Sequence, residues 1–141
     1  MINVVYELEF DYQSVGTSRI KRPMVALRIS AGPNYQDTLA MVDSGADYSI
    51  FHADHAEALG LKLTDPKPLI GLDGKKFYGY LHHVAMRLLI APEAWQTIRA
   101  EVIFRENHPK DLGNLLGRHD FFRALKVGFD ERRQKVYLGQ A

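Results

Sequence analysis

The chain has 141 residues, a length that predicts a single domain over residues 1–141. It contains no cysteine, which excludes a disulfide framework, a thiolate metal site and a thiol nucleophile. Its 18 basic and 17 acidic side chains nearly cancel, so the charge gives no support to a nucleic-acid or an anionic-membrane partner.

The start of the chain and its hydropathy pattern indicate a cytoplasmic protein. No apolar run approaches the length that crosses a membrane. Residues 1–7 lack the basic beginning and the apolar middle of a secretory signal peptide. We therefore expect a location in the cytoplasm and no membrane partner.

The first third of the chain alternates apolar and polar residues with a period of two, which is typical of half-buried strands. The second of these runs stops at the turn residues Ala31-Gly32-Pro33-Asn34. The strands predicted in this part of the chain are residues 4–10, 25–29, 38–42 and 48–51.

A short helix and a hairpin are predicted next. The helix covers Ala53 to Leu59, and Gly60 follows at the position where left-handed backbone ends helices. Asp73-Gly74 is a strong hairpin-turn signal, because both residues tolerate positive φ. The strand after this turn spans roughly Phe77 to Ile90.

The rest of the chain predicts short strands, one brief helix and a final hairpin. In order, these are a loop or single helical turn at 92–97, a strand at 100–104, a polar loop at 105–113, a short apolar segment at 114–116, a helix at 119–125 and hairpin strands at 127–129 and 135–138. Many short strands with two brief helices indicate a mainly β barrel or sandwich.

Asp43 stands directly after the apolar end of a predicted strand. Desolvation disfavours the charged form of a carboxyl group in such a place, so it rarely occurs there without a partner or a function. A purely structural role is also possible, because Asp-Ser-Gly suits β-turns. A second apolar pair that ends in glycine, Leu115-Leu116-Gly117, favours the functional interpretation.

Three segments resemble parts of the retropepsin-like aspartic proteases. Residues 41–47, Met-Val-Asp-Ser-Gly-Ala-Asp, resemble the catalytic Asp-Ser/Thr-Gly-Ala loop. Residues 114–118, Asn-Leu-Leu-Gly-Arg, are similar to the second signature, and residues 72–74 lie at the distance of the flap tip. The resemblance implies a mainly β, closed barrel-like retropepsin (acid protease) fold with one or two short helices and a flap hairpin.

The resemblance also implies a reaction. Aspartic proteases use two facing carboxyl groups that share one proton, because like charges at contact distance cannot both ionise. One acts as general base on a water and the other as general acid on the peptide carbonyl. The chain has a single Asp-Ser-Gly. A homodimer is therefore implied, in which each subunit gives one Asp43 to a site on the twofold axis.

The function implied is an aspartic endopeptidase that acts on a peptide or protein substrate without a cofactor. Asp43 is the implied catalytic residue, and Ser44 and Gly45 support the pair of carboxylates across the dimer. The implied substrate-binding residues are Ala46, Asp47, Tyr48, Leu72, Asp73 and Gly74, and the implied loop-bracing residues are Leu116, Gly117 and Arg118. Arg118 is expected to form a bidentate ion pair with Asp47.

The six histidines do not predict a metal site. His52 and His55 could share a helix face, but no third ligand stands at a convincing spacing. His82 and His83 are adjacent on a predicted strand and so point to opposite faces. We expect no metal ion.

Two other functions remain open. A chain with this fold could bind peptides or dimerise without catalysis, because a fold does not guarantee an activity. The charged hairpin tip, Asp73-Gly74-Lys75-Lys76, departs from retroviral flaps and leaves this alternative open. In an unrelated β-barrel, Asp43 would be only a turn residue. The added strand at 136–138 is expected to join a dimer interface or to cover a sheet edge.

Overall fold

The computed structural model describes residues 2–71, 73–91, 95, 97–109 and 112–141. Strands dominate these residues, and the two helices are short. The strands are β1 Leu8–Asp11, β2 Met24–Ala31, β3 Asn34–Val42, β4 Ile50–His52, β5 Lys67–Ile70, β6 Lys76–Leu88, β7 Ile98–Arg105, β8 Asn114–Leu116, β9 Leu125–Asp130 and β10 Lys135–Gln140. The helices are α1 Ala53–Ala58 and α2 Phe121–Ala124.

Six strands close into a barrel in the order β2-β3-β8-β4-β7-β6, because β2 also pairs with the end of β6. Strand β5 pairs with the first residues of β6 and extends the sheet as a hairpin. Alternate residues of each strand face the interior, as in β2, where Val25, Leu27 and Ile29 are buried. The predicted mainly β, closed barrel is confirmed.

Large apolar side chains fill the interior of the barrel. Phe51 on β4 and Phe104 on β7 are fully buried, with ring centroids 6.3 Å apart. Leu116 on β8 packs in the same core. Each such side chain contributes roughly 1.5–3 kcal/mol through the apolar surface it removes from water.

Strand β8 lies between β3 and β4 and brings two distant segments together. It runs parallel to β3, with Val42 opposite Leu116, and antiparallel to β4. Because parallel strands end at the same edge of a sheet, the segments that follow Val42 and Leu116 leave the barrel side by side. These segments carry the two motifs of the sequence.

A second, three-stranded sheet has the order β1-β10-β9. Strand β10 is its central strand and pairs with β1 on one side and β9 on the other. The hydrogen-bonding edges of residues 136–138 are therefore occupied within the chain. The expected strand forms and covers the edges of its neighbours, so a dimer contact through strand pairing to this sheet would have to use β1 or β9.

Most predicted elements are confirmed, with boundaries that differ by a few residues. Helix α1 ends as expected, with Gly60 at a φ of +73°. Helix α2 is shorter than predicted, because Asp120 accepts a hydrogen bond from the N–H of Phe121 and Leu125 opens β9. Of the predicted strand at 4–10, β1 includes only the part from Leu8 onward. The predicted loop at 92–97 falls largely outside the described residues, and so does part of the loop at 105–113.

Neither helix of the described residues has the length and apolar character that a membrane crossing requires.

Candidate active site

The carboxyl group of Asp43 is held by a tight turn at the end of β3. The N–H of Asp43 donates to the carbonyl of Leu116 at 3.0 Å. The N–H of Gly45 donates to Asp43 Oδ1 at 2.9 Å, and the N–H of Ala46 donates to the Asp43 carbonyl at 3.2 Å. Asp43 is half-buried, whereas Ser44 and Gly45 are exposed. The turn therefore fixes one carboxyl oxygen and presents the residue at the surface.

The two sequence motifs are joined through their main chains. The N–H of Arg118 donates to the carbonyl of Ala46 at 2.9 Å, and that of His119 donates to the carbonyl of Asp47 at 2.8 Å. With the bond from Asp43 to Leu116, these contacts extend the pairing of β3 and β8 into the loops. The motifs are therefore neighbours in the fold, although they are far apart in the sequence.

Gly117 lies at the closest approach of the two motifs. A Cβ atom at this position would be 2.5 Å from the carbonyl carbon of Tyr48 and 2.9 Å from the nitrogen of Ser49. Real Cβ atoms do not come this close to backbone, so only glycine fits without moving one of the loops. The glycine of the second motif is explained by this contact.

The expected ion pair between Asp47 and Arg118 is not formed. Neither residue takes part in an ion pair among the described residues. Both side chains instead line a cavity of about 330 Å³, together with Phe122 and Arg123. Both residues are exposed, and a long exposed side chain gains little from a single ion pair. The bracing between the motifs is carried by the main chain.

Tyr48 and His119 extend the contact between the two segments at the surface. Their ring centroids are 4.7 Å apart, and Tyr48 remains 40% exposed. A larger cavity of about 530 Å³ lies on the other side of His119 and Arg123, next to α2. Asp43 lines neither of these two cavities.

A buried polar pair that sequence reasoning missed supports the second motif. Ser49 is fully buried, and its Oγ donates to Asp120 Oδ1 at 2.7 Å and accepts from the N–H of Gly117 at 3.0 Å. Asp120 Oδ1 also accepts from the N–H of Phe121 at 2.6 Å. One serine thus links β4 to Gly117 and to the start of α2. A polar residue inside the predicted strand at 48–51 was the available signal.

Asp120 has an unusual electrostatic environment. Its Oδ2 atom is buried without a hydrogen-bond partner among the described residues. Burial raises the pKa of Asp120 above its ordinary value of 3.8, and the bonds from Ser49 and Phe121 offset only part of this effect. The carboxyl group therefore favours its neutral form more than an exposed aspartate does.

The hairpin β5–β6 is confirmed, and its tip is closed by local hydrogen bonds. The N–H of Gly71 donates to the carbonyl of Lys75 at 2.9 Å, and the N–H of Lys75 donates to Asp73 Oδ1, also at 2.9 Å. Gly74 has a φ of +76°, as the turn prediction requires. Leu72, predicted to bind substrate, lies outside the described residues. The role of this hairpin as a flap stays a prediction.

The four histidines considered as metal ligands lie in two parts of the fold, at β4–α1 and on β6. His52 precedes α1, and its ring lies 4.8 Å from that of His108. His82 and His83 face opposite sides of β6, where they bond to the carbonyl of Lys62 and pair with Glu101. Within the described part of the chain, no group of three or more His, Cys, Asp or Glu has an arrangement that could hold a metal ion.

The architecture is similar to that of a solved retropepsin-like aspartic protease from Rickettsia conorii, with a TM-score of 0.55. The two chains are 16% identical, and the match covers 99% of this chain and 98% of the other. The fold is retropepsin-like. No protein-family model and no curated protein matches the sequence. At this identity the likeness shows the fold alone and does not show an activity.

Proposed function

We propose that this protein is an aspartic endopeptidase that is active as a homodimer. The observation that carries the proposal is the Asp43 turn. On a retropepsin-like fold, it presents a carboxyl group at the surface, with one oxygen fixed by the N–H of Gly45. The main-chain bond to Leu116 ties this turn to the second motif. General acid–base hydrolysis needs a carboxyl group held in such a fixed position.

The reaction requires a second carboxyl group, which a single chain does not supply. Among the described residues, no hydrogen bond joins Asp43 to another carboxyl group. A twofold dimer would place two Asp43 side chains face to face, where they would share one proton. The ionised carboxylate would take a proton from water as the water oxygen attacks the peptide carbonyl carbon, while the other carboxyl group donates its proton to the carbonyl oxygen. The tetrahedral intermediate would then collapse as the C–N bond breaks, with the first carboxyl group giving its new proton to the leaving nitrogen and the second taking one back from the hydroxyl group.

Other features of the loop support a dimeric site with a peptide cleft. Ser44 is exposed, and within the described residues its hydroxyl makes no hydrogen bond, so it is free to bond to a partner loop. Asp47 and Tyr48 are exposed beside Asp43 and could contact an extended peptide. On the hairpin, Ile70 and Tyr78 are 78% and 56% exposed, as expected of side chains that cover a substrate.

An Asp43→Asn variant tests the proposal. We expect it to lose peptide-library cleavage by about a thousandfold or more, because an amide can neither accept nor give the required proton. The control is Asp65→Asn, at an exposed turn residue whose positive φ asparagine tolerates equally well. Equal cleavage by Asp43→Asn and wild type would refute the catalytic role. A wild-type dimer without cleavage from acidic to neutral pH would indicate a peptide-binding module instead.

A further inference from the structure

Asn114, the first residue of β8, connects three elements through its side chain. It is 3% exposed. Its Oδ1 accepts from the N–H of His52 at 3.0 Å. Its Nδ2 lies 2.9 Å from Thr38 Oγ1, 3.1 Å from the carbonyl of Leu39 and 3.2 Å from His55 Nε2. One amide thus joins the start of β8 to β3, to the end of β4 and to α1.

These partners fix the chemistry of His55. A main-chain N–H can only donate and a carbonyl can only accept. The N–H of His52 therefore identifies Oδ1 of Asn114, and the carbonyl of Leu39 identifies Nδ2. The NH2 group therefore faces His55, and its two hydrogens are shared among Thr38 Oγ1, the Leu39 carbonyl and His55 Nε2. An amide nitrogen cannot accept, so this contact requires an unprotonated Nε2 and thus a neutral imidazole with its proton on Nδ1. Protonation of Nε2 would place two donors against each other and break this contact.

The position of Asn114 matters because β8 is only three residues long. Asn114 lies opposite Ala40 at one end of the strand, and Leu116 lies opposite Val42 at the other. The carbonyl of Leu116 receives the N–H of Asp43. A strand this short has few main-chain bonds, and the contacts of the Asn114 side chain add to them at one end of the strand.

A second histidine, which unlike the half-buried His55 is fully buried, holds the residue before Asn114. His108 is 3% exposed, and its Nε2 donates to the carbonyl of Gly113 at 2.6 Å. Its Nδ1 is buried without a partner among the described residues, so a proton there would be unsatisfied. The start of β8 is therefore anchored by two imidazoles that both have to remain neutral.

Charged neighbours act on both histidines. Burial lowers the pKa of His55 and of His108 below 6.5, and the nearby His52 lowers both further. Asp54 partly opposes the shift at His55, and Arg105 adds to it at His108. The groups that β3 turns toward the amide, Thr38 and Leu39, are uncharged. The contacts that the neutral forms of His55 and His108 make with the start of β8 are therefore complete above pH 6.5. They are lost as the pH falls through the lowered pKa values of these two residues.

We propose that Asn114 is a positioning residue for the Asp43 turn and that proton uptake by His55 releases this anchor in acid. The effect on catalysis rests on the proposed function, whereas the effect on the Asp43–Leu116 hydrogen bond does not. The amide proton of Asp43 reports on that bond directly, because hydrogen exchange requires the bond to open.

Hydrogen exchange of the Asp43 amide, corrected for the intrinsic rate, tests the proposal across pH. In wild type, we expect protection to fall as the pH drops below 6.5. His55→Gln offers an acceptor that does not titrate, so its protection should lose the part of this pH dependence that comes from His55 and keep the part that comes from His108. At neutral pH, Asn114→Ala should reduce protection about tenfold. His83→Gln, at an exposed histidine on β6, is the matched control and should behave as wild type.

A second variant and a kinetic measurement distinguish a failure of this proposal from a failure of the proposed function. Thr38→Val removes the acceptor that lies nearest to the Asn114 amide nitrogen, at a half-buried position, and replaces Asn114→Ala if that variant does not fold. With an active enzyme, Thr38→Val should lower kcat and leave KM nearly unchanged. The proposal would be overturned if the Asp43 amide were as well protected in the Asn114 and Thr38 variants as in wild type. It would also be overturned if protection in His55→Gln had the same pH dependence as in wild type. Absence of cleavage by wild type would overturn the proposed function and leave the exchange result standing.

Discussion

Asp120 brings a carboxyl group into the interior next to Gly117, where one of its oxygens has no partner among the described residues. Such a group costs stability when it is charged, because burial removes the water that would solvate it. Ser49 and Phe121 satisfy only the other oxygen. The residue is therefore needed for its hydrogen bonds rather than for its charge.

An Asp120→Asn variant separates these two contributions. Asparagine keeps an acceptor for Ser49 and Phe121 but does not titrate. Because the folded pKa of Asp120 is raised above 3.8, the wild type should lose stability relative to the variant as the pH rises from 3.8 through the raised value. Urea unfolding at a series of pH values measures this difference. A constant difference in the free energy of unfolding between the two proteins over this pH range would contradict it.

The same residue scale shows what the sequence could and could not predict. The Asp43 turn was predictable because Asp-Ser-Gly after an apolar run is a local pattern. The bond between Ser49 and Asp120 spans 71 positions, and the bond between Asn114 and Thr38 spans 76. Both depend on β8 lying between β3 and β4, and no local pattern reports that insertion. The ion pair of Asp47 and Arg118 was expected from the resemblance, and the sequence does not fix the conformations of two exposed side chains.

At the scale of elements, β10 is the centre of the three-stranded sheet rather than a free edge. Its residues Val136 and Leu138 are fully buried, and its main chain bonds to β1 and β9. The periodicity of residues 135–138 predicted the strand, but not its neighbours, because alternation carries no information about pairing partners. Loss of this strand would remove the support of both neighbours.

The role of β10 is tested by Val136→Ala. We expect it to lower the free energy of unfolding by about 2 kcal/mol, since it removes two buried methyl groups and leaves a cavity. Arg132→Ala, in the exposed turn between β9 and β10, should change the free energy of unfolding by less than about 0.5 kcal/mol. Equal midpoints for the two variants in urea would show that β10 contributes little to the fold.

At the scale of the whole molecule, the proposed chemistry requires two chains, because each contributes one Asp43. The closed barrel and the main-chain link between the motifs are formed within one chain. The resemblance and a single Asp-Ser-Gly predict a dimer, but the geometry of an interface depends on surfaces that one chain does not define.

Mixing wild type with Asp43→Asn tests whether the site is shared. If subunits exchange and each site needs both carboxyl groups, an equal amount of the variant should reduce wild-type activity to about half, and a larger excess should reduce it further. Exchange is checked with subunits of different mass. Activity that stays constant after complete exchange would show that one chain carries a whole site.

The pairing of β1 with β10 also affects how the protein is made. Leu8 pairs with Leu138, so β1 is synthesised long before β10, the strand that completes its hydrogen bonds. Until β10 has been synthesised, the edge of β1 is open to other nascent chains on the same message. Premature termination before residue 135 would leave that edge permanently uncovered, and the truncated product would be a substrate for chaperones or proteases.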